Sequence, residues 1–181
     1  AVFVPPPPDE MQRALGDLEK FLHETDLPLL VQLAIAHYQF EVIHPFLDGN
    51  GRIGRLMIPL MLVLRDALPQ PLLYLSAYFE QHRSEYYDHL LITSQKGDLM
   101  PWITFFLRGV RRQARDSEER TVRLVELQHQ LRNELLDEGR PNSVIRLAEQ
   151  LFAIPVITAA RVESMIGVTR PTAQAAIDAL V

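Results

Sequence analysis

The segment at residues 29–43, LLVQLAIAHYQFEVI, constrains the fold more than any other part of the chain. Read at the 3.6-residue period of a helix, it is apolar on nearly every side, as expected for a central buried helix. A second apolar run, LMIPLMLVL at residues 56–64, indicates another buried helix. Together with the helical periodicity of the remaining segments, these two runs predict an all-α fold.

The twelve residues between these two helices, HPFLDGNGRIGR at positions 44–55, predict an anion site. A loop that leads into a helix N-terminus presents unpaired N–H groups and the positive end of the helix dipole. Gly49 and Gly51 let the backbone curl into a nest around phosphate oxygens. Arg52 and Arg55 lie one turn apart, so both can face the same anion. The segment therefore predicts phosphate binding.

Two other side chains of this segment suit group-transfer chemistry. His44 follows the buried helix and precedes Pro45, which biases it away from the right-handed α conformation. Histidine titrates near neutrality and can accept a proton from an incoming hydroxyl. Asp48 offers a carboxylate to Mg²⁺, which binds one or two carboxylates together with substrate phosphates. Each also has an ordinary explanation, since a lone histidine is often structural and Asp-Gly is a common turn dipeptide.

The segment resembles the signature of the Fic family, H-x-F-x-[D/E]-G-N-G-R-x-x-R, and matches it at every specified position. The resemblance covers roughly residues 1–110 and includes FVPPPP at 3–8, YLSAYF at 74–79 and EYYD at 85–88. Most characterised members of the family are adenylyltransferases, which move AMP from ATP to a hydroxyl side chain of a target protein. The resemblance implies a Fic-type helical bundle with this activity, with Mg²⁺ as cofactor and with ATP and a protein bearing a Ser, Thr or Tyr hydroxyl as partners.

The resemblance also implies roles for individual residues. It makes His44 the catalytic base and Asp48 the metal ligand, and it places a tyrosine, for which we favour Tyr87, in the nucleotide pocket. The nucleotide-binding residues that it implies are Gly49, Asn50, Gly51, Arg52, Ile53, Gly54 and Arg55, with Asn50 contributing its side-chain amide. We interpret Phe46 as a core residue that anchors the loop and His37 as a hydrogen-bonded core residue. Aromatic residues at the position of Tyr87 are more often core, so that alternative stays open.

Two features of the family are missing from the sequence. Many members carry an inhibitory helix, [S/T]-x-x-x-E-[G/N], whose glutamate pairs with the second motif arginine, here Arg55, and blocks the γ-phosphate. No such sequence occurs in this chain, so we expect that helix upstream of Ala1, on another protein, or not at all. The target-docking β-hairpin of the relatives precedes the proline run, and only its last residues can fall within residues 1–4.

Composition excludes several classes of protein. The chain has 181 residues, of which 48% are hydrophobic and 23% charged, an ordinary globular balance. It has no cysteine, which excludes thiol catalysis, disulfides and cysteine-ligated zinc. No apolar stretch is long enough to span a bilayer and no segment resembles a signal peptide, so we expect a cytoplasmic protein without membrane contact. Because the chain begins with Ala1 rather than Met, we interpret it as a fragment.

Helical periodicity and end signals predict the remaining elements. The predicted helices cover residues 9–25, 29–43, 52–65, 76–95, a long stretch from 102 to about 138 as one helix or two in series, 143–152, 158–166 and 170–180. Ser76 is predicted to be an N-cap, as are Thr158 and Thr169. Pro59 is expected to kink its helix.

These elements suggest three regions and leave rival functions open. The predicted organisation is a Fic core at 1–110, a connecting helix or helices at 111–139, and a truncated helix-turn-helix or winged-helix module at 140–181. The rival is a DNA-binding regulator whose core senses nucleotide without turning it over. Residues 142–181 carry three arginines and three acids, so we expect weak DNA binding at most, and a homodimer is as reasonable. Some Fic relatives transfer UMP or phosphocholine instead, but the G-N-G-R-x-x-R form favours ATP.

Overall fold

A computed structural model describes residues 4–23 and 26–181, and every regular element in these ranges is a helix. The helices are α1 (Pro8–His23), α2 (Leu29–Ile43), α3 (Asn50–Leu64), α4 (Leu75–Gln81), α5 (Arg83–Lys96), α6 (Met100–Asp137), α7 (Asn142–Leu151), α8 (Ala159–Ile166) and α9 (Arg170–Asp178). The all-α prediction is confirmed. Residues 1–3 of the predicted β-hairpin remnant at 1–4, and the predicted helix end at 24–25, lie outside the described residues. Within the described ranges, no helix is long and apolar enough to cross a bilayer.

The chain forms two compact units, Ala1–Ser117 and Glu118–Val181, and the boundary between them falls within α6. The sequence predicted either one helix or two in series between 102 and about 138, and the structure has a single helix there. In the first unit α2 is the central helix, as predicted, since Leu33 and Ala34 are fully buried. Its apolar surface packs against α3, α4, α5 and the first turns of α6. Another part of α2 packs against α1 through Phe40 and Leu18.

Aromatic rings form the centre of the first unit. Trp102, Phe105 and Phe106 of α6 are almost completely buried. The Trp102 indole N–H donates to the Ala34 carbonyl of α2 at 2.7 Å, which joins the start of α6 to the central helix. His37, also fully buried, stacks with the Trp102 ring at a centroid distance of 5.8 Å and an interplanar angle of 16°. The prediction that His37 is a hydrogen-bonded core residue is confirmed, because its Nε2 lies 3.1 Å from a tyrosine hydroxyl of α5.

The second unit has its own core, formed by the end of α6 and by α7, α8 and α9. Its buried residues are Leu135, Val144, Ile145, Leu147, Ala148, Val162, Ile166, Ala173 and Ala176. Thr158 caps α8 as predicted, because its side chain accepts a hydrogen bond from the Arg161 N–H. Thr169 occupies the N-cap position of α9, but its hydroxyl lies 3.0 Å from that of Thr172 instead. The winged-helix assignment of this unit stays a prediction.

The prediction of one helix with Ser76 as N-cap is wrong. Two helices cover this stretch, α4 and α5, and they meet at His82 (φ −112°, ψ 37°). α4 begins at Leu75, with Tyr74 at the N-cap position. The N-cap position therefore lies two residues before the predicted one, and Leu75, now in the first turn, is buried. No glycine or proline marks His82, so the break has no local sequence signal.

Two other helix starts differ from the prediction by two residues. α6 begins at Met100 rather than Trp102, because the Asp98 carboxylate accepts the Met100 N–H at 3.0 Å. Pro101 fits into the first turn, where its missing N–H costs nothing. α3 begins at Asn50 and continues through Pro59.

Candidate active site

His44 ends α2 in the left-handed conformation (φ 50°, ψ 56°), and its backbone N–H donates to the Phe40 carbonyl at 3.0 Å. Pro45, the next residue, disfavours the right-handed α conformation here. The ring Nδ1 lies 3.2 Å from the Glu41 carbonyl oxygen. Since a carbonyl oxygen only accepts, the neutral ring carries its hydrogen on Nδ1 and its lone pair on Nε2. This is the tautomer that a general base needs.

Asn50 fixes the loop that follows His44. Its Oδ1 accepts the Phe46 N–H at 2.8 Å, and its Nδ2 donates to the Phe46 carbonyl at 2.6 Å. The prediction that Phe46 is a core residue is wrong: the residue is 48% exposed, and its ring only tilts against Phe40 at a centroid distance of 6.4 Å. The loop is held by the Phe46 backbone rather than by its ring. The amide of Asn50 is thus already bonded within the loop, and its phosphate contact stays a prediction.

The backbone turns into the start of α3 at Gly49. This residue has φ 88° and ψ 0°, a conformation that glycine adopts without strain. The first helical hydrogen bond of α3 runs from the Ile53 N–H to the Gly49 carbonyl at 3.0 Å. The N–H groups of Asn50, Gly51 and Arg52 therefore precede the helical bonding pattern and point out of the helix end. Such N–H groups and the helix dipole attract a phosphate.

Asp48 and Arg52 form an exposed ion pair beside this helix start. The Asp48 Oδ2 lies 3.1 Å from the Arg52 Nη2, and its Oδ1 accepts the Gly49 N–H at 2.6 Å. Among the described residues, no cluster of three or more His, Asp or Glu side chains could hold a metal ion by itself. A single exposed carboxylate nevertheless fits Mg²⁺, which completes its coordination with water and substrate phosphates. On binding, Arg52 would exchange this carboxylate for a phosphate.

A cleft of about 510 Å³ opens beside Arg55, on the next turn of α3. Its lining residues are Arg55, Tyr74, Ser76, Ala77, Phe79, Glu80, Arg83, Tyr86 and Tyr87. The Arg83 guanidinium carbon lies 5.9 Å from the centroid of the exposed Tyr87 ring. Tyr86 is buried and meets the Tyr87 ring edge-on at 5.2 Å. Two cations and aromatic surfaces suit an anionic ligand that carries a flat ring.

Comparison with known proteins agrees with this geometry. The Fic/DOC family model matches residues 1–62. Protein adenylyltransferase Fic from Aedes aegypti is 32% identical over 149 residues, which is 76% of this chain and 27% of that protein. Protein adenylyltransferase Fic from Drosophila melanogaster is 34% identical over 105 residues, which is 56% of this chain and 20% of that protein. A crystal structure of a Fic family protein from Desulfovibrio desulfuricans G20 superposes with a TM-score of 0.61 at 28% identity, over 94% of this chain and 47% of that one.

The chain carries a Fic domain. It spans about a quarter of the length of the curated relatives that it matches. The Fic domain thus accounts for the resemblance that the motif at 44–55 indicated.

The structure brings the predicted site residues of the Fic domain to two places. Arg55 and Tyr87 line the cleft. The loop residues 48–52 stand at the start of α3, and His44 stands at the end of α2. The sequence analysis missed Arg83, which a helical spacing of four residues from Tyr87 could have indicated, because that spacing puts both side chains on one face.

The sequence analysis also missed Glu41, whose carboxylate is buried between helices of the Fic domain. Burial raises the pKa of this carboxyl, while the charges of Arg55 and His44 and a hydrogen bond with Tyr86 lower it. Burial also raises the pKa of Tyr86, so its hydroxyl stays protonated. Gly54 leaves room for the carboxylate, since a Cβ at this position would lie 2.8 Å from the Glu41 Oε1. The available signal was one acid in an otherwise apolar helix, three residues before His44.

Proposed function

We propose that this protein is an adenylyltransferase that moves AMP from ATP to a Ser, Thr or Tyr hydroxyl of a target protein and releases pyrophosphate. The observation that carries the proposal is the arrangement around the motif loop. His44, directly before the loop, has its Nδ1 bonded to a backbone carbonyl and its Nε2 available to accept a proton, and Arg55, directly after the loop, lines a cleft of about 510 Å³. The relatives named protein adenylyltransferase support the same assignment.

In the proposed reaction, the His44 Nε2 accepts the proton of the target hydroxyl as its oxygen bonds to the α-phosphorus of ATP. The bond from the α-phosphorus to the oxygen that bridges to the β-phosphorus breaks, and pyrophosphate leaves with those electrons. The N–H groups at the start of α3 and the Arg55 guanidinium oppose the charge that develops on the phosphates. When bound at Asp48, Mg²⁺ supplies further positive charge to the phosphates.

The test is incubation with ATP labelled with ³²P at the α-phosphate, in the presence of magnesium and candidate target proteins. We expect the wild type to label protein and His44→Ala to lose transfer by about 10²–10⁴-fold, the usual contribution of a general base. ATP binding should persist in this variant, because the base acts only as the hydroxyl attacks. The matched control is His129→Ala, which removes an exposed histidine of the second unit and should keep full transfer.

Loss of ATP affinity equal to the loss of rate in His44→Ala would assign His44 to binding. ATP binding without any transfer by the wild type would favour the rival regulator that senses nucleotide.

The magnesium role of Asp48 is tested separately by thermal unfolding with ATP. We expect added Mg²⁺ to raise the ATP-dependent melting temperature of the wild type and of Asp17→Ala, which removes an exposed carboxylate from α1. Asp48→Ala should lose most of this increase, because its carboxylate is the proposed protein ligand of the ion. An equal increase in Asp48→Ala and the wild type would show that Asp48 does not hold the metal.

A further inference from the structure

Glu41 lies behind the wall of the cleft, where its carboxylate meets three helices. Its side chain is only 11% exposed. Among the described residues, its buried Oε1 has no hydrogen-bond partner, and it lies 3.9 Å from the His37 Nε2 of its own helix. An incompletely paired carboxylate in a protein interior costs free energy unless a nearby positive charge offsets it. The position therefore needs an explanation beyond packing.

Arg55 is the cation that faces this carboxylate. A Cβ placed on Gly51 would lie 2.9 Å from the Arg55 Nη1 and 3.7 Å from the Glu41 Oε1. Both groups thus lie against the same face of Gly51, and the absence of a side chain there leaves the space between them open. Arg55 also lines the cleft, so its guanidinium lies between the buried acid and the proposed ligand.

Tyr86 lies on the other side of the acid. Its hydroxyl lies 3.1 Å from the His37 Nε2, which itself lies 3.9 Å from the Glu41 Oε1, and its interaction with Glu41 lowers the pKa of that carboxyl. The Tyr86 ring lines the cleft beside Arg55, and its position is fixed by the aromatic centre, for example by Phe79 at a centroid distance of 4.9 Å. Arg55 and Tyr86 therefore both line the cleft, and the Glu41 carboxylate lies behind them.

We propose that Glu41 is a positioning residue that holds Arg55 in the orientation which receives the terminal phosphate of ATP. The inference rests on the proposed function, in which Arg55 contacts the phosphates. The attraction of the buried carboxylate for the guanidinium restricts the long arginine side chain, so less conformational entropy is lost when the nucleotide binds. With a neutral group at position 41, the guanidinium loses this partner and its preferred orientation.

The test compares the affinities for ATP and ADP at constant excess magnesium, measured by calorimetry on the full chain with the His44→Ala change to prevent turnover. We expect Glu41→Gln to weaken ATP binding by up to about tenfold, because the neutral amide no longer attracts the guanidinium, and to weaken ADP binding much less. The ratio of the two affinities should approach that of Arg55→Ala. Combining Glu41→Gln with Arg55→Ala should change the ratio no further. Glu19→Gln, an exposed acid of α1, is the control and should keep the wild-type ratio.

A purely structural role for Glu41 would weaken both nucleotides equally and lower the melting temperature, and an unchanged ATP-to-ADP ratio in Glu41→Gln would overturn the proposal. Tyr86→Phe gives a second route if Glu41→Gln does not fold, because it removes only the hydroxyl that interacts with Glu41. It should also lower the ratio of ATP affinity to ADP affinity, and an unchanged ratio would overturn the proposal.

Failure of the His44→Ala parent protein to bind ATP would instead refute the proposed function itself. If Arg55→Ala alone leaves the ratio unchanged, Arg55 does not receive the terminal phosphate and the role of Glu41 falls with it.

Discussion

His37 should make the first unit lose stability as the pH falls below neutrality. The ring is fully buried and stacks against both Phe79 and Trp102, at centroid distances of 5.5 Å and 5.8 Å. Burial is the main reason that its pKa falls from 6.5 to about 4; a hydrogen bond with the Gly54 backbone raises it, and the charge of Arg55 lowers it further. The folded protein therefore keeps this histidine neutral in a pH range where the unfolded chain protonates it.

The sign and size of the effect follow from these two pKa values. The stability that His37 contributes is present above pH 6.5 and is lost as the pH falls from 6.5 towards 4, because only the unfolded state takes up the proton. Between about pH 7.5 and about pH 5 the free energy of unfolding should fall by about 2 kcal/mol from this residue. Glu41 acts in the opposite direction: its pKa is raised from 4.5, so its protonation favours the folded state on the acid side.

The assay is urea unfolding at a series of pH values, followed by the fluorescence of Trp102, the single tryptophan of the chain. Because Trp102 lies in the core of the first unit, it reports on the unit that contains His37. The comparison is with His37→Gln, which does not titrate and keeps a hydrogen-bonding group towards Tyr86. The variant should have a lower free energy of unfolding than the wild type at neutral pH. Between about pH 7.5 and about pH 5, however, its free energy of unfolding should fall by about 2 kcal/mol less than that of the wild type. Parallel pH curves for both proteins would refute the reasoning.

Two other predictions concern stability. Gly54→Ala should destabilise the first unit by about 1–3 kcal/mol in urea, since its new methyl group would lie 2.8 Å from the Glu41 Oε1. Gly16→Ala, where no described atom lies within 4 Å of the added Cβ, should be neutral or stabilising by up to about 1 kcal/mol, and equal losses at both glycines would contradict this account. Thr158→Ala should cost about 1 kcal/mol in thermal unfolding followed by circular dichroism, because it removes a helix cap. Thr169→Ala should cost less, since that hydroxyl pairs with a neighbouring threonine, and an equal cost would show that the cap contributes little.

Local signals predicted the parts of the fold that depend on neighbouring residues. The bounds of α2 follow from its apolar pattern, and Gly97 and Gly167 end α5 and α8 in the left-handed conformation that glycine favours. The motif predicted a helix directly after the glycine loop, although α3 begins at Asn50, two residues before the predicted start.

The remaining features depend on residues that are distant in the chain. The break at His82 has no glycine or proline beside it, so the local sequence did not predict it. Phe46 was predicted to be a core residue because it is aromatic. The structure instead uses its backbone, which forms two hydrogen bonds with the Asn50 side chain. The environment of Glu41 comes from α3 and α5, so neither its burial nor its proximity to Arg55 could be predicted from α2 alone.

The closed ring between Asn50 and Phe46 determines when the motif loop becomes ordered. Its two hydrogen bonds join the ends of a five-residue segment without any ligand. The conformational entropy of this segment is therefore lost when the chain folds and not when a nucleotide arrives. A ligand at the start of α3 meets N–H groups that are already aligned, so its binding should be fast and should require little rearrangement of the backbone.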